Sequence, residues 1–303
     1  MNNVKKEFSI RDLENLSGIK AHTIRIWEKR YNLLAPERTT TNIRTYSLIS
    51  LQKLLNITML YNAGNKISKI AKLSDEEVPK LVKELAASNN KNNHAIASLK
   101  LAMINFDKEQ FFTIYDRISE EMSFREVWLE VFLPFLDEIG LLWQTDTICP
   151  SHEHFISHLI KQLIFVNTQG LKNKESLDAK KTFVLFLPDN EIHELGLLYL
   201  NYELLLKGHK TIYLGQTMPL EGLESIRPYF DNLIFVSYFT VAPSPDKIIK
   251  YIADFQQIVN SKNKYQLWLL GQQVHQLKNT SIPDWIKTFT TINAAIKASS
   301  TNH

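Results

Sequence analysis

The sequence predicts a multidomain protein: an all-α helix-turn-helix head with a short β wing, a four-helix bundle, and an α/β domain on an open parallel sheet. Three observations lead there. The formal charge of +3 is unevenly spread, because residues 1–74 carry 8 Lys and 5 Arg against 5 acids while the remainder carries 22 basic and 27 acidic residues. Two polar stretches, SNNKNNH (88–94) and GLKNKESLDAKK (170–181), read as linkers and divide the 303 residues into domains at 1–87, 95–169 and 182–303. From residue 182 the apolar pattern changes from a helical period to strands and helices in alternation.

Composition narrows the function classes. With 44% hydrophobic and 22% charged residues the chain is globular. No run approaches the ~20 uncharged apolar residues that span a bilayer. The start, MNNVKKEFSIRDLENLS, has charges where a secretion signal needs an apolar core, so a cytoplasmic protein without membrane contact is expected. One cysteine, Cys149, excludes an internal disulfide and a thiolate-rich zinc site. The 9 glycines form neither G-x-G-x-x-G nor a Walker A loop, which argues against a nucleotide-fold enzyme, and no catalytic residue is expected. A basic head on a mildly acidic body suits a nucleic-acid-binding module joined to something else.

The elements follow in order. Ser9 and Asp12 are spaced for a capping box ahead of Ile10, Leu13 and Leu16. Gly18 breaks that helix, and a second begins near Lys20 with Ile24 and Trp27 on one face, so Trp27 reads as core. Two short helices across a glycine turn make a helix-turn-helix. ERTTTNIRTYS (37–47) reads as a β-hairpin that lays Arg38 and Arg44 along a phosphate backbone. LISLQKLLNITMLYNAG (48–64) is a third amphipathic helix, and KISKIAKL begins another.

This head resembles the DNA-binding domain of MerR-type transcriptional regulators. The matching residues are Thr23-Ile24-Arg25, Trp27-Glu28, Arg30-Tyr31, Leu33-Leu34, Pro36, Arg38, Arg44 and Tyr46, then a leucine-rich helix and Gly64. Asn32 stands where the family commonly has glycine, and Asn tolerates the left-handed backbone of such a turn. The resemblance implies that Lys20, His22, Thr23 and Arg25 open the helix that enters the major groove of a double-stranded DNA operator. Arg30, Arg38, Asn42, Arg44 and Tyr46 would hold phosphates.

Four helical runs follow, HAIASLKLAMINF, DKEQFFTIYDRISEEM, FREVWLEVFLPFLDEIGLLWQ and PSHEHFISHLIKQLIFVNTQ, and predict a small bundle. His152, His154 and His158 lie close together, but H-E-H-F-I-S-H is not H-E-x-x-H, so a bound zinc is not expected. Beyond 182, TFVLFLP, TIYLG, NLIFVSY and YQLWLLG read as buried parallel strands, separated by helical segments. A ligand then belongs at the strands' carboxyl ends. The loop after the first strand, PDNEIHELG (188–196), places His193 there, backed by carboxylates that set its tautomer. Gly196 allows close backbone approach.

The last two segments resemble the cobalamin-binding module, a helical cap over a flavodoxin-like domain. Glu191, His193 and Gly196 match its D/E-x-H-x-x-G motif, Ser237 its later serine, and Gly271 the first position of its Gly-Gly. Trp143, Glu153 and His154 match the cap motif of Trp, nine residues, Glu-His. That cap is characteristic of the CarH-type and LitR-type photoreceptor repressors, MerR proteins that bind adenosylcobalamin. The resemblance implies cobalamin, in its adenosyl form, as cofactor, with His193 as axial ligand of cobalt. It also implies a repressor that works as a homo-oligomer, dimer or tetramer, with assembly controlling operator binding. RNA polymerase and an antirepressor protein are further candidate partners. Two positions depart from the pattern. Gln144 stands where light-sensing relatives carry a second cobalt-capturing His, which argues against a light-locked state. Gln272 replaces the second glycine and would crowd the nucleotide tail. Two other readings therefore stand beside the first: the same regulator with a cobalamin-independent sensor answering a protein partner, and a corrinoid methyl-carrier protein, for which the basic head has no use.

Overall fold

The chain folds as two units, residues 1–160 and 161–303, and the computed structural model describes residues 7–39, 41–86, 91–145, 147–171 and 178–300. In the first unit, β1 (Glu7–Phe8) leads into α1 (Ile10–Ser17) through the expected capping box. The Asp12 N–H donates to Ser9 Oγ at 3.1 Å and the Ser9 N–H donates to the Asp12 carboxylate at 2.7 Å. Helix α2 (Ala21–Tyr31) ends at Asn32, left-handed at φ 53°. Strands β2 (Glu37–Arg38) and β3 (Arg44–Ser47) pair antiparallel as the wing. β3 also pairs with β1, a contact that a two-residue strand does not announce in sequence. Helix α3 (Leu48–Asn62) closes a core with Leu13, Leu16, Ile24 and Trp27, all buried. The Trp27 ring meets Tyr61 edge-on at 5.2 Å, as expected of a core residue. Helices α4 (Ile67–Ile70) and α5 (Glu77–Ala86) complete the head.

The bundle begins with α6 (Lys91–Asn105) and α7 (Lys108–Ser119). Residues 91–94, expected as linker, instead form the first turn of α6, while 88–90 lie outside the described residues. Tertiary packing overrides the poor helix propensity of asparagine there: His94 is buried, its Nδ1 3.3 Å from the Arg117 guanidinium, and burial followed by that charge pushes its pKa down to about 4. Helix α8 (Phe124–Val127) runs through a π-helical turn, Trp128–Phe132, into α9 (Leu133–Gln144). Pro134 has no N–H to give and its ring crowds the carbonyl four residues back, so the backbone widens just before it and the Leu133 N–H reaches Trp128. Helix α10 (Pro150–Gln169) follows, and the boundary between the two units falls within it.

The second unit alternates as its sequence predicts: β4 (Asp178–Phe186), α11 (Leu195–Leu206), β5 (His209–Gly215), α12 (Leu220–Glu224), β6 (Leu233–Tyr238), α13 (Ile248–Ile258), β7 (Gln266–Leu270), β8 (Ile286–Thr288) and α14 (Ile292–Ser299). Residues 178–181, expected as the end of a linker, already belong to β4, and 172–177 lie outside the described residues. All five strands are parallel in the order β5-β4-β6-β7-β8, which is flavodoxin-like. Side chains alternate along β6 between two cores. Ile234 and Val236 pack under α11 and α14, and Leu233 and Phe235 pack under α13. The chain leaves β4 in one direction and β6 in the other, so the crevice at their carboxyl ends is the topological switch point. Among the described residues no helix is long and apolar enough to cross a membrane.

Candidate functional site

In the winged head, Lys20, His22 and Arg25 are exposed and Thr23 is half-buried along the first half of α2. That helix lacks a side-chain cap at Lys20. Glu14 substitutes, accepting the Ala21 N–H at 3.1 Å and facing Lys20 Nζ at 3.1 Å, and first the amide and then the lysine hold its carboxyl below the usual range. Arg30 is exposed, and on the wing Arg38 Nη1 donates to Asn42 Oδ1 at 2.6 Å. The wing's far strand is organised by Glu28, one of the matching residues, to which the sequence assigns no role. It accepts the Tyr46 hydroxyl and lies 3.4 Å from Arg44 Nε. Tyr46, expected to hold a phosphate, is corrected: the side chain is 1% exposed and its hydroxyl is committed to Glu28. Burial, then that bond, raises its pKa. Arg44 is part-buried against the same carboxylate.

In the bundle, Trp143 closes α9 with 54% of its surface exposed. The turn after it is tied down, with Thr145 Oγ1 donating to the Leu141 carbonyl at 2.9 Å and Asn15 Nδ2 of α1 donating to Thr147 Oγ1 at 2.9 Å. Glu153 lies in the first turn of α10, accepts the Ser157 hydroxyl at 2.8 Å, and is 3.6 Å from Nδ1 of the exposed His154. His152 is instead buried, stacked on Phe106 with ring centroids 4.6 Å apart, and its Nδ1 is 3.0 Å from Cys149 Sγ.

In the second unit the loop after β4 is built around one carboxylate. Glu191 is fully buried. Its Oε1 accepts the N–H groups of Ile192 and His193, each at 3.0 Å, and His193 Nδ1–H at 2.6 Å. Its Oε2 accepts three successive N–H groups from the loop after β6, those of Thr240, Val241 and Ala242, at 3.0, 2.6 and 2.9 Å. Burial alone would raise the Glu191 pKa, but the amides of Val241, His193 and Ala242 and the His193 ring outweigh it and hold the carboxyl low. An ionised Glu191 fixes the proton of His193 on Nδ1 and leaves Nε2 with its lone pair. The His193 side chain is 50% exposed, and the flanking Ile192 and Val241 are exposed apolar residues. Of the expected backing carboxylates, only Glu191 serves His193. Glu194 turns away, accepting the Tyr213 hydroxyl at 2.8 Å and pairing with Lys161.

The other motif positions occupy the same strand ends. Ser237 is buried and donates to the Phe186 carbonyl at 3.0 Å, across the β4–β6 register. Gly271 has φ 100°, and a Cβ there would overlap the Phe239 backbone, so the residue closes the β6–β7 ends tightly. Gln272, expected to crowd the crevice, has an exposed side chain. Gly196 lies in the first turn of α11, against the ring of Tyr238. The amides at 240–242 were invisible in sequence, since backbone donors carry no side-chain signature.

Comparison with known proteins covers the head and the bundle. Residues 8–77 match the family described as MerR HTH family regulatory protein, and residues 95–166 match the family described as B12 binding domain. The chain is similar to HTH-type transcriptional repressor CarH of Myxococcus xanthus, 28% identical over 243 residues, covering 77% of this chain and 80% of that one. It is also similar to HTH-type transcriptional repressor CarA of the same organism, 24% identical over 251 residues, covering 81% of each. Among solved structures, the monomethylamine corrinoid protein of Methanosarcina barkeri shares the fold, with a TM-score of 0.57 at 12% identity over 69% of this chain and 98% of that one. Residues 8–77 are thus a DNA-binding domain of the MerR type, and residues 95–166 belong to a cobalamin-binding module.

Proposed function

We propose that this regulator is a repressor that senses a corrinoid, adenosylcobalamin being the form named by the resemblance, and that His193 Nε2 is the lower axial ligand of the cobalt. The observation that carries the reading is the Glu191–His193 pair at the switch point of the sheet, where a buried carboxylate sets the imidazole tautomer and leaves one nitrogen facing outward. The residues fit the group. A neutral imidazole is a good ligand for cobalt, and the exposed Ile192 and Val241 give an apolar rim suited to a corrin face. The bound group supplies a cobalt–carbon centre whose upper ligand can change; the chain's own residues orient the imidazole and hold its proton at Nδ1. Trp143, Glu153 and His154 are the bundle's proposed contribution to the same cofactor.

The output is operator binding, with homo-oligomer assembly as its control. A cofactor changes DNA affinity only through differential affinity for two states of the protein. The first unit offers a physical link for such a difference. Asn15 on α1 bonds the turn that follows Trp143, and Lys100 on α6 reaches the Leu16 carbonyl at 3.4 Å while pairing with Glu138 on α9.

The test is an absorption titration of the full chain with adenosylcobalamin in the dark, followed by size exclusion and a mobility shift. Wild type should take up the chromophore with an imidazole-ligated spectrum, and His193→Ala should lose that signature and at least tenfold in affinity. An identical spectrum and Kd in the variant would remove the axial role. For the head, the Lys20, His22, Thr23 and Arg25 surface is proposed to read bases and Arg30, Arg38, Asn42 and Arg44 to hold phosphates. Arg25→Ala should then cost specific binding about 1–3 kcal/mol more than non-specific binding. Arg44→Ala should weaken both and lower the salt slope by roughly one. Equal losses of both kinds for Arg25→Ala would make it a phosphate anchor.

A further inference from the structure

The head and the bundle meet around a cavity of about 410 Å³, walled by the end of α1, one face of α3, and parts of α6 and α9. Leu55, Thr58, Met59 and Asn62 follow the three-and-four spacing of a single helix face, so α3 turns a stripe to the cavity that is half polar. Packed helices normally interdigitate apolar stripes and leave few voids larger than a water. Here the residues opposite are small. Ala97 stands on α6, and at Gly18, which ends α1, a Cβ would have nothing within 4 Å. The Thr58 hydroxyl is buried without a hydrogen-bond partner among the described residues.

Charge at the walls is balanced. Lys100 pairs with Glu138 of α9 and also reaches the Leu16 carbonyl at 3.4 Å. His94, also at the wall, is neutral at neutral pH, because burial and then the Arg117 charge push its pKa down to about 4. A guanidinium only donates, so His94 Nδ1 accepts from Arg117 and the ring keeps its proton on Nε2. An ion entering this space would shed its water without meeting a free counter-charge. An uncharged molecule meets apolar wall at Leu16, Leu55 and the 59% exposed Leu141, and amides and hydroxyls beside it. The volume falls within the roughly 300–1,000 Å³ of small-molecule sites.

We propose that this cavity is a second ligand site, which takes an uncharged small molecule with an apolar body and a polar end. None of its lining residues is among those proposed to hold cobalamin or DNA, so the proposal does not depend on His193. Helix α1 packs on both α2 and α3, so an occupant touches the support of the recognition helix on one side and the bundle on the other.

The full chain, without added corrinoid, is titrated with two fluorescent dyes. One is phenylnaphthylamine, which is uncharged; the other is anilinonaphthalene sulfonate, the same skeleton with an anionic group. High salt screens the basic head from the anion. The uncharged dye should saturate at one per chain, with a Kd about tenfold or more below that of the anion. Ala97→Phe puts a ring into the space and should weaken the uncharged dye about tenfold or more. Asn62→Phe blocks the same space from an exposed position on the last turn of α3, and decides the matter if the first variant folds poorly. Affinity for the uncharged dye that is unchanged in the folded variants places it elsewhere and overturns the proposal. Equal affinity for the anion, or no saturable uptake by wild type, overturns it as well.

Discussion

The loop after β4 and the junction of α9 with α10 both carry residues that we propose to bind cobalamin, yet they are held in opposite ways. Around His193, one buried carboxylate accepts six hydrogen bonds from two loops, which saturates both oxygens. Around Trp143 and His154, the side chains are largely exposed, and His154 is 3.6 Å from its nearest carboxylate. The sheet site is thus set before any ligand arrives, and its geometry belongs to the fold. The bundle residues have surface to offer and little that fixes them, so ordering them belongs to the binding event. Stability and affinity should therefore separate between the two regions.

The largest expected effect is at Glu191. Replacement by alanine leaves the amides of 240–242 without their acceptor and frees the His193 ring. Breaking such a buried charged network costs on the order of 3–5 kcal/mol. Urea unfolding followed by fluorescence should show that loss, while His193→Ala, at a half-exposed position, should cost well under 1 kcal/mol. A pH series sharpens the contrast. The folded carboxyl lies below its unfolded value of 4.5, so its stabilisation is complete above that value and is lost as pH falls through the lower folded pKa. Wild type should lose this increment below pH 4.5, and Glu191→Ala should have none to lose. Equal acid slopes in the two proteins would show that the carboxylate is not the organiser of the loop.

The same contrast shows what could be read from the chain. The parallel strands were legible because each is a short apolar run without a polar face, and the loop histidine was legible because strand ends in such sheets meet ligands. Helix α1 declared its start through Ser9 and Asp12, two side chains whose bonding is local. What escaped notice depends on partners distant in sequence or on groups without a side chain. The amides of Thr240, Val241 and Ala242 reach Glu191 from fifty residues away. Glu28 collects Tyr46 and Arg44, which turned an expected phosphate contact into part of the wing's interior. β8, three residues long, is too short to show a period.

A small expected effect on stability, and the one that most directly tests the distinction, is at Trp143. Its ring is 54% exposed at the end of α9, so Trp143→Ala removes little buried apolar area. At roughly 25 cal/mol per Å² of apolar surface, the modest covered part of the ring predicts a change of about 1 kcal/mol or less in unfolding free energy. Binding should respond differently. A large aromatic that is free before a ligand arrives and covered afterwards behaves as an anchor, and truncating one costs about 2 kcal/mol or more of affinity, some thirtyfold in Kd. Dark titration with adenosylcobalamin would measure this directly, with the imidazole-ligated spectrum of the bound fraction unchanged because Glu191 and His193 are untouched. A Trp143→Ala protein that loses stability and keeps its affinity would invert the comparison, making the end of α9 a structural element and leaving the sheet unit to bind by itself.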